Sequence, residues 1–403
     1  MVLENHNHVW DGLDSYTLQI SNHLQEVVQM SRKFAMEFVL AIFLMAHGLV
    51  FSFPVVCGNL GQFTFTDAIF YLRKLIFGTI SRPYEENYQV ELLDPCCPIT
   101  LTVFGDLMYS GELMNAGDPY SNVEKSLFQS EIVFANLEFP IDTRFPESAF
   151  PRFNGSSEYF DKVVAPLGIN VMNIANNHSL DRGIEGLRST YSFLSDHGIH
   201  CVGFGENRRF TIISVDEAEI AVSGFTFGTN GATVNSESGL NVAELNTIDH
   251  AETPLSIIIP IVKLMSEEAS VVVLSLHWGL EFESKPTEIQ VEIARKLCDE
   301  GVDLIIGHHP HVLQPLEVYK NNRGTTSLII YSIGNWISSM KAKDCRTTAS
   351  LKIELLEDGS VCGIKAFPYR FDLSKMQLVP LSNLSLIPKS FAYYSATTPC
   401  CLH

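Results

Sequence analysis

At five places in this chain an apolar run ends in residues able to hold a cation or move a proton: Asp106, Glu138, Asn177-His178, His277 and His309-Pro310-His311. Imidazole nitrogens combined with carboxylate oxygens suit Zn, Mn or Fe, and no cysteine enters the set. His309 and His311 lie two apart, so on an extended segment both side chains would point the same way. A carboxylate such as Glu138 can bridge two ions about 3.5–4 Å apart, the spacing of two-metal hydrolases. Such a pair acidifies bound water and stabilises attacking and leaving oxygens together. The Asn177 amide can bind a metal or a substrate oxygen without adding charge. Each residue alone has a plain structural explanation. Asp106, following Gly105, could sit in a turn or cap a helix; His277 could be a satisfied core histidine, and His308 a packing residue. Taken together they resist that reading, because a core gains nothing from repeated polar strand ends.

The elements that must position these groups are legible around them. Apolar strands are predicted over Ile99–Asp106, Ile132–Phe139, Ile169–His178, Glu219–Phe227, Val271–Gly279, Val302–His311 and Ser327–Trp336. Helical stretches follow His178 and again Pro286, a Ser/Asn/Thr-rich loop follows Phe227, and a hairpin is expected around Asp358-Gly359. Strands alternating with helices argue for an α/β architecture. In open α/β sheets the carboxyl ends of strands are where loops converge into a site, and those ends carry the residues above.

Composition bounds the function. The 403 residues are 46% apolar and 18% charged, enough for a sizeable core. With 27 Lys+Arg against 46 Asp+Glu the formal charge is −19, which argues against nucleic acid as a partner. An anionic substrate could approach only where cations or a local basic patch reverse the field. The nine cysteines contain no C-x-x-C pair and do not read as a disulfide framework. Residues 1–33 are polar; residues 34–57 hold the apolar run FVLAIFLMAHGLVFSFPVV after Arg32-Lys33, read as a signal peptide or membrane anchor. Either form places the main domain outside the cytoplasm, secreted or membrane-anchored. Asn154-Gly155-Ser156 and Asn383-Leu384-Ser385 have the form of glycosylation acceptors. A linker with helical character is expected over 58–97, the main domain over 98–373 and a C-terminal tail over 374–403.

The segments FGDLMYSG, ANLEFPI, NIANNHSLDRG, LHWGLE, IIGHHPHVLQPLEVY and YSIGNW, in this order over residues 99–371, resemble the motifs of the CapA (poly-γ-glutamate capsule synthesis) family. That family resembles the calcineurin-like metallophosphatases, which implies a four-layer α/β/β/α sandwich with a dinuclear divalent-metal site. By this likeness Asp106, Glu138, Asn177, His277, His309 and His311 fall at metal-ligand positions. Asn177 and His178 fall at catalytic ones, His178 as general acid or oxyanion stabiliser. Two departures stand out: Met108 replaces the histidine of the superfamily's Asp-x-His motif, and Glu138 replaces its usual aspartate. The resemblance implies a metal-dependent hydrolase acting on a phosphate ester or a γ-glutamyl polymer. Its rival is a non-catalytic, polymer-binding component of a membrane-associated synthesis complex. Asp181 is expected either to orient a ligand or to cap the following helix, and Trp278, Glu281 and Asn335 are weaker candidates for the pocket wall.

Overall fold

The structure, a computed structural model, describes residues 99–205, 208–234, 238–243 and 251–396. The expected polar segment 1–33, apolar run 34–57 and linker 58–97 lie outside the described residues, as do Cys57, Cys96, Cys97, Cys400 and Cys401. Among the described residues no helix is long and apolar enough to cross a membrane.

The first part of the chain forms β1 (Ile99–Leu107), β2 (Ile132–Leu137), β3 (Val171–Asn173), helix α1 (Gly183–Asp196), β4 (His200–Val202), β5 (Thr211–Val215) and β6 (Ala218–Thr226). There follow α2 (Glu252–Glu268), β7 (Val271–His277), α3 (Glu288–Asp299), β8 (Leu304–His308), β9 (Leu316–Lys320) and β10 (Thr326–Ile330). β11 (Asn335–Ile337), β12 (Thr347–Leu355), β13 (Val361–Asp372), β14 (Gln377–Pro380) and α4 (Lys389–Ala396) complete it.

These strands make two sheets. One runs β14-β13-β12-β1-β2-β3-β4, with β11 also paired to β1; the other runs β5-β6-β7-β8-β10-β9. β1 to β4 are mutually parallel, as are β6, β7, β8 and β10, while β12 to β14, β5 and β9 run antiparallel. Parallel strands must be covered on both faces, and the sequence provides for it: every residue of β2 and of β7 is buried. Val103, Phe134, Val273, Ile306 and Leu351 belong to one core between the sheets. A second core lies outside the first sheet, where Leu187 and Leu194 of α1 pack. A third lies outside the other sheet under Ile258 and Val262 of α2 and Ile293 and Leu297 of α3. The result is the expected four-layer α/β/β/α sandwich. α3 begins with a reciprocal capping box, Thr287 accepting from Gln290 N while the Gln290 side chain accepts from Thr287 N.

The stretch after residue 373, read above as a tail, adds β14 to the first sheet and sends Phe391 and Tyr394 of α4 into the core between the sheets. Of the two glycosylation-form asparagines, Asn154 is buried and its amide donates to the carbonyls of Asp142, Phe145 and Pro146, which closes it to modification. Cys201 and Cys298 are buried free thiols, and Cys345 and Cys362 are buried as well.

Candidate metal centre

The strand ends converge. β1 delivers Asp106, β2 is followed directly by Glu138, the loop after β3 carries Asn177 and His178, β7 ends on His277, and the turn after β8 presents His309 and His311. Two groups of ligand atoms form, one from Glu138, His277 and His309 and one from Asp106, Glu138 and His311, each within 4.8 Å of one another. In the first, His277 Nε2 lies 3.1 Å from His309 Nδ1, 3.0 Å from Asn177 Oδ1 and 3.6 Å from Glu138 Oε1. In the second, Asp106 Oδ2 lies 3.6 Å from His311 Nδ1, and Glu138 Oε1 lies 3.8 Å from His311 Nε2. Two nitrogens bound at 2.0–2.1 Å to one tetrahedral ion sit about 3.4 Å apart, close to the His277–His309 spacing.

Glu138 decides whether cations fit. Its side chain is fully buried, both carboxylate oxygens lack a hydrogen-bond partner, and Oε1 faces an imidazole of each group. A buried carboxylate without donors is costly unless a positive charge compensates it, and the donor set around it is the one divalent ions take. The residues present fit two such ions.

The two histidines after β8 reach the site by a different route from the one expected. The segment is not extended: His309 and His311 both have left-handed backbones, φ 95° and 60°. Their rings sit 6.1 Å apart and serve different groups. Left-handed conformations cost a non-glycine residue about 1–3 kcal/mol, strain of the kind that collects at binding sites.

Around the ligands lies a layer of amides. Asn136 Nδ2 donates to Asp106 Oδ1 at 2.8 Å, while its own Oδ1 accepts from Asn173 and Asn176. Asn335 Oδ1 accepts from His311 Nδ1 at 2.8 Å, its NH2 being turned to the Cys345 carbonyl. That leaves His311 Nε2 for Glu138 and a cation. Asn136, Asn173 and Asn176 were not singled out from the sequence; ANLE and NIANN hold them, but an asparagine inside an apolar strand carries no local signal of what it holds. Asp181 does not cap α1. It accepts from His178 Nδ1 at 2.8 Å and from Phe153 N at 2.7 Å, the ring of Phe153 standing edge-on to His178. Trp278 is core, its indole donating to the Tyr331 carbonyl. Met108 packs into the apolar cluster outside the first sheet. A cleft opens beside the His178–Asp181 turn, bordered by Leu180, Gly183, Arg188 and Thr233.

Burial, reinforced by the neighbouring Asp106 charge, pushes the Glu138 carboxyl well above its ordinary range. Burial opposes ionisation of Asp106 as well, but His308, His311 and His277 outweigh it and hold that carboxyl well below its usual value. Burial, then His309, drives His277 well down; burial also takes His309 down to about 4. For His311 burial is outweighed by Glu138, Asp106 and Glu281, which raise it to about 10. The signs follow. His277 and His309 stay neutral in the fold while the unfolded chain protonates near 6.5, so stability falls as pH drops from about 6.5 toward 4. The His311 contribution is complete below about 6.5 and is lost as pH rises through about 10. In chelator, the denaturation midpoint is therefore expected to fall both at pH 4.5 and at pH 9.5 relative to pH 6.5. A flat profile would refute the arrangement.

Residues 100–340 match the family model described as "Bacterial capsule synthesis protein PGA_cap". The chain is similar to the PGA biosynthesis protein CapA of Bacillus subtilis (strain 168), 30% identical over 251 residues, covering 62% of this chain and 64% of that one. It is also similar to the capsule biosynthesis protein CapA of Bacillus anthracis, 29% identical over 282 residues, covering 65% of each chain. It thus spans slightly less than two thirds of the length of these relatives. Among solved structures, a 5'-nucleotidase precursor from Thermus thermophilus superposes distantly, with a TM-score of 0.37 and 15% identity over 74% of this chain and 58% of that one.

Proposed function

The chain belongs to the bacterial capsule synthesis protein family, and from that membership we propose a metal-dependent hydrolase with a dinuclear centre, acting on a γ-glutamyl polymer or a phosphate ester during capsule polymer synthesis. The observation that carries this is the unpartnered Glu138 carboxylate, shared by two ligand groups gathered from separate strand ends. Asp106, Glu138 and His311 would hold one ion, and Glu138, His277, His309 and Asn177 the other. When bound, such ions act as Lewis acids toward an acyl or phosphoryl oxygen and offset the negative field that this acidic chain sets against an anionic substrate.

The remaining chemistry belongs to the chain. Asp181 fixes the His178 ring through Nδ1, leaving Nε2 to hold a proton for the leaving group. Asn177 Nδ2 approaches Asn230 Oδ1 at 3.3 Å while its carbonyl faces His277, so the amide's orientation is set from both ends. Buried Phe153 packs edge-on against His178 and shields one side of it from water.

His178→Ala is expected to lower turnover of γ-linked glutamate oligomers or of a generic phosphodiester by about 10²–10⁴-fold with metal content unchanged. Metal analysis of purified wild-type protein beside His309→Ala/His311→Ala tests the centre itself: well under one ion per chain in the wild type would sink the proposal. A second reading draws on Met108, which packs in an apolar cluster at the position where the resemblance implies a ligand. On that reading the ions tether polyglutamate within a membrane-associated complex without cleaving it. Tight, metal-dependent polymer binding with no turnover would select it. Membrane attachment and export through residues 34–57 belong to the same proposal, tested by detergent-free solubility with and without residues 1–57.

A further inference from the structure

His308 is the one histidine of the HHPH run that neither ligand group includes. It is fully buried, and the period of two along β8 turns it to the face of Leu304 and Ile306, into the layer between the sheets. There it stacks on Phe134, ring centroids 6.1 Å apart at 29°. A packing role would be better served by an apolar ring, because neither of its nitrogens has an aligned hydrogen-bond partner. What it does reach is Asp106: its Nδ1 lies 2.9 Å from Oδ1. The same oxygen accepts from Asn136 at 2.8 Å, whereas Oδ2 faces His311 Nδ1 and the His309 backbone N–H.

We propose that His308 is a positioning residue for the metal centre: its Nδ1, close against one oxygen of Asp106 that Asn136 also holds, keeps the other oxygen pointed at the cation. It acts from inside the sandwich, on a carboxylate at the end of β1. This deepens the cation reading and rests on it. Groups that orient a ligand from behind typically account for 10–100-fold in metal affinity.

The experiment titrates full-length, metal-stripped protein with Mn²⁺ and with Zn²⁺ by calorimetry, beside thermal unfolding in chelator. His308→Phe keeps the ring against Phe134 and removes Nδ1; it is expected to bind about 10–100-fold more weakly while its metal-free unfolding temperature stays at or above wild type. His308→Asn, whose Nδ2 falls near the position of the imidazole Nδ1, should recover affinity to within a few fold. His308→Gln, whose amide falls near Nε2, should not. This Asn/Gln contrast stands even if the Phe variant fails to fold. Wild-type binding with equal affinity in all three variants overturns the positioning role alone, and absence of binding in the wild type overturns the cation reading beneath it.

Discussion

Glu138→Gln is expected to empty both cation positions at once, whereas His309→Ala and His311→Ala should each empty one. The asymmetry follows from membership: Glu138 belongs to both ligand groups, each histidine to a single one. A glutamine keeps the shape but offers one weak oxygen donor and an NH2 that repels cations, so it cannot bridge. Metal-free stability should move the other way. The native carboxyl is buried with neither oxygen hydrogen-bonded and is pushed well above its ordinary range by burial, so a neutral amide of the same shape spares the fold the burial of an ionisable group. In chelator the variant should therefore unfold at or above the wild-type midpoint. In excess Mn²⁺ the wild type gains about 2.7 kcal/mol per site at a hundredfold excess over Kd, and the variant should gain nothing. Metal analysis and paired denaturation curves decide it. A variant that keeps one ion per chain, or that is destabilised in chelator, would show that Glu138 is held by something other than cations.

Much of this site was legible because its signals are of a kind that sequence carries well. Apolar runs ending in Asp106, Glu138, Asn177, His277 and the HHPH segment mark strand ends, and parallel strands bring such ends to one edge of a sheet whatever the loops between them do. What escaped was orientation. Alternation along a strand placed His309 and His311 on one side, but the chain leaves β8 at His308 and turns through two left-handed residues, so the two imidazoles part company. Alternation does hold one residue earlier, and there it sends His308 inward. The asparagines of the inner layer escaped because a buried amide looks like a lapse in an apolar strand until its partners, 30 or more residues away, are known. α2 was given no assignment from the sequence: its ETPLSIIIPIVKLM stretch holds Pro254, Pro260 and a run of isoleucines, and helix propensity gives it little support. Its helix is secured by packing Ile258, Val262 and Met265 on the second sheet. β14 and α4 likewise form because neighbouring surfaces are there to cover, which no local pattern announces.

Gly105→Ala should be among the most damaging small substitutions in the chain. A Cβ at this position would stand 2.0 Å from the Gly334 carbonyl oxygen and 3.0 Å from Trp336 N. The obstacle is backbone, so no side chain can swing aside. That same carbonyl accepts from Asp106 N at 3.0 Å, the bond that ties β1 to β11. A methyl group there must part the two strands where each delivers a site residue, Asp106 from one and Asn335 from the other. The expected cost is about 2–3 kcal/mol, the upper range for forced overpacking, together with loss of the ion proposed at Asp106 in whatever fraction still folds. Gly307, one residue before His308, is under the same constraint from the Tyr331 carbonyl at 2.0 Å and should respond alike. Gly117→Ala is the control, since nothing lies within 4 Å of its added Cβ, and it should leave the denaturation midpoint unchanged or slightly raised. Were Gly105→Ala as stable as Gly117→Ala, β1 and β11 would not approach as described. The first cation position would then lose the scaffold that aims Asp106 and, through Asn335, His311.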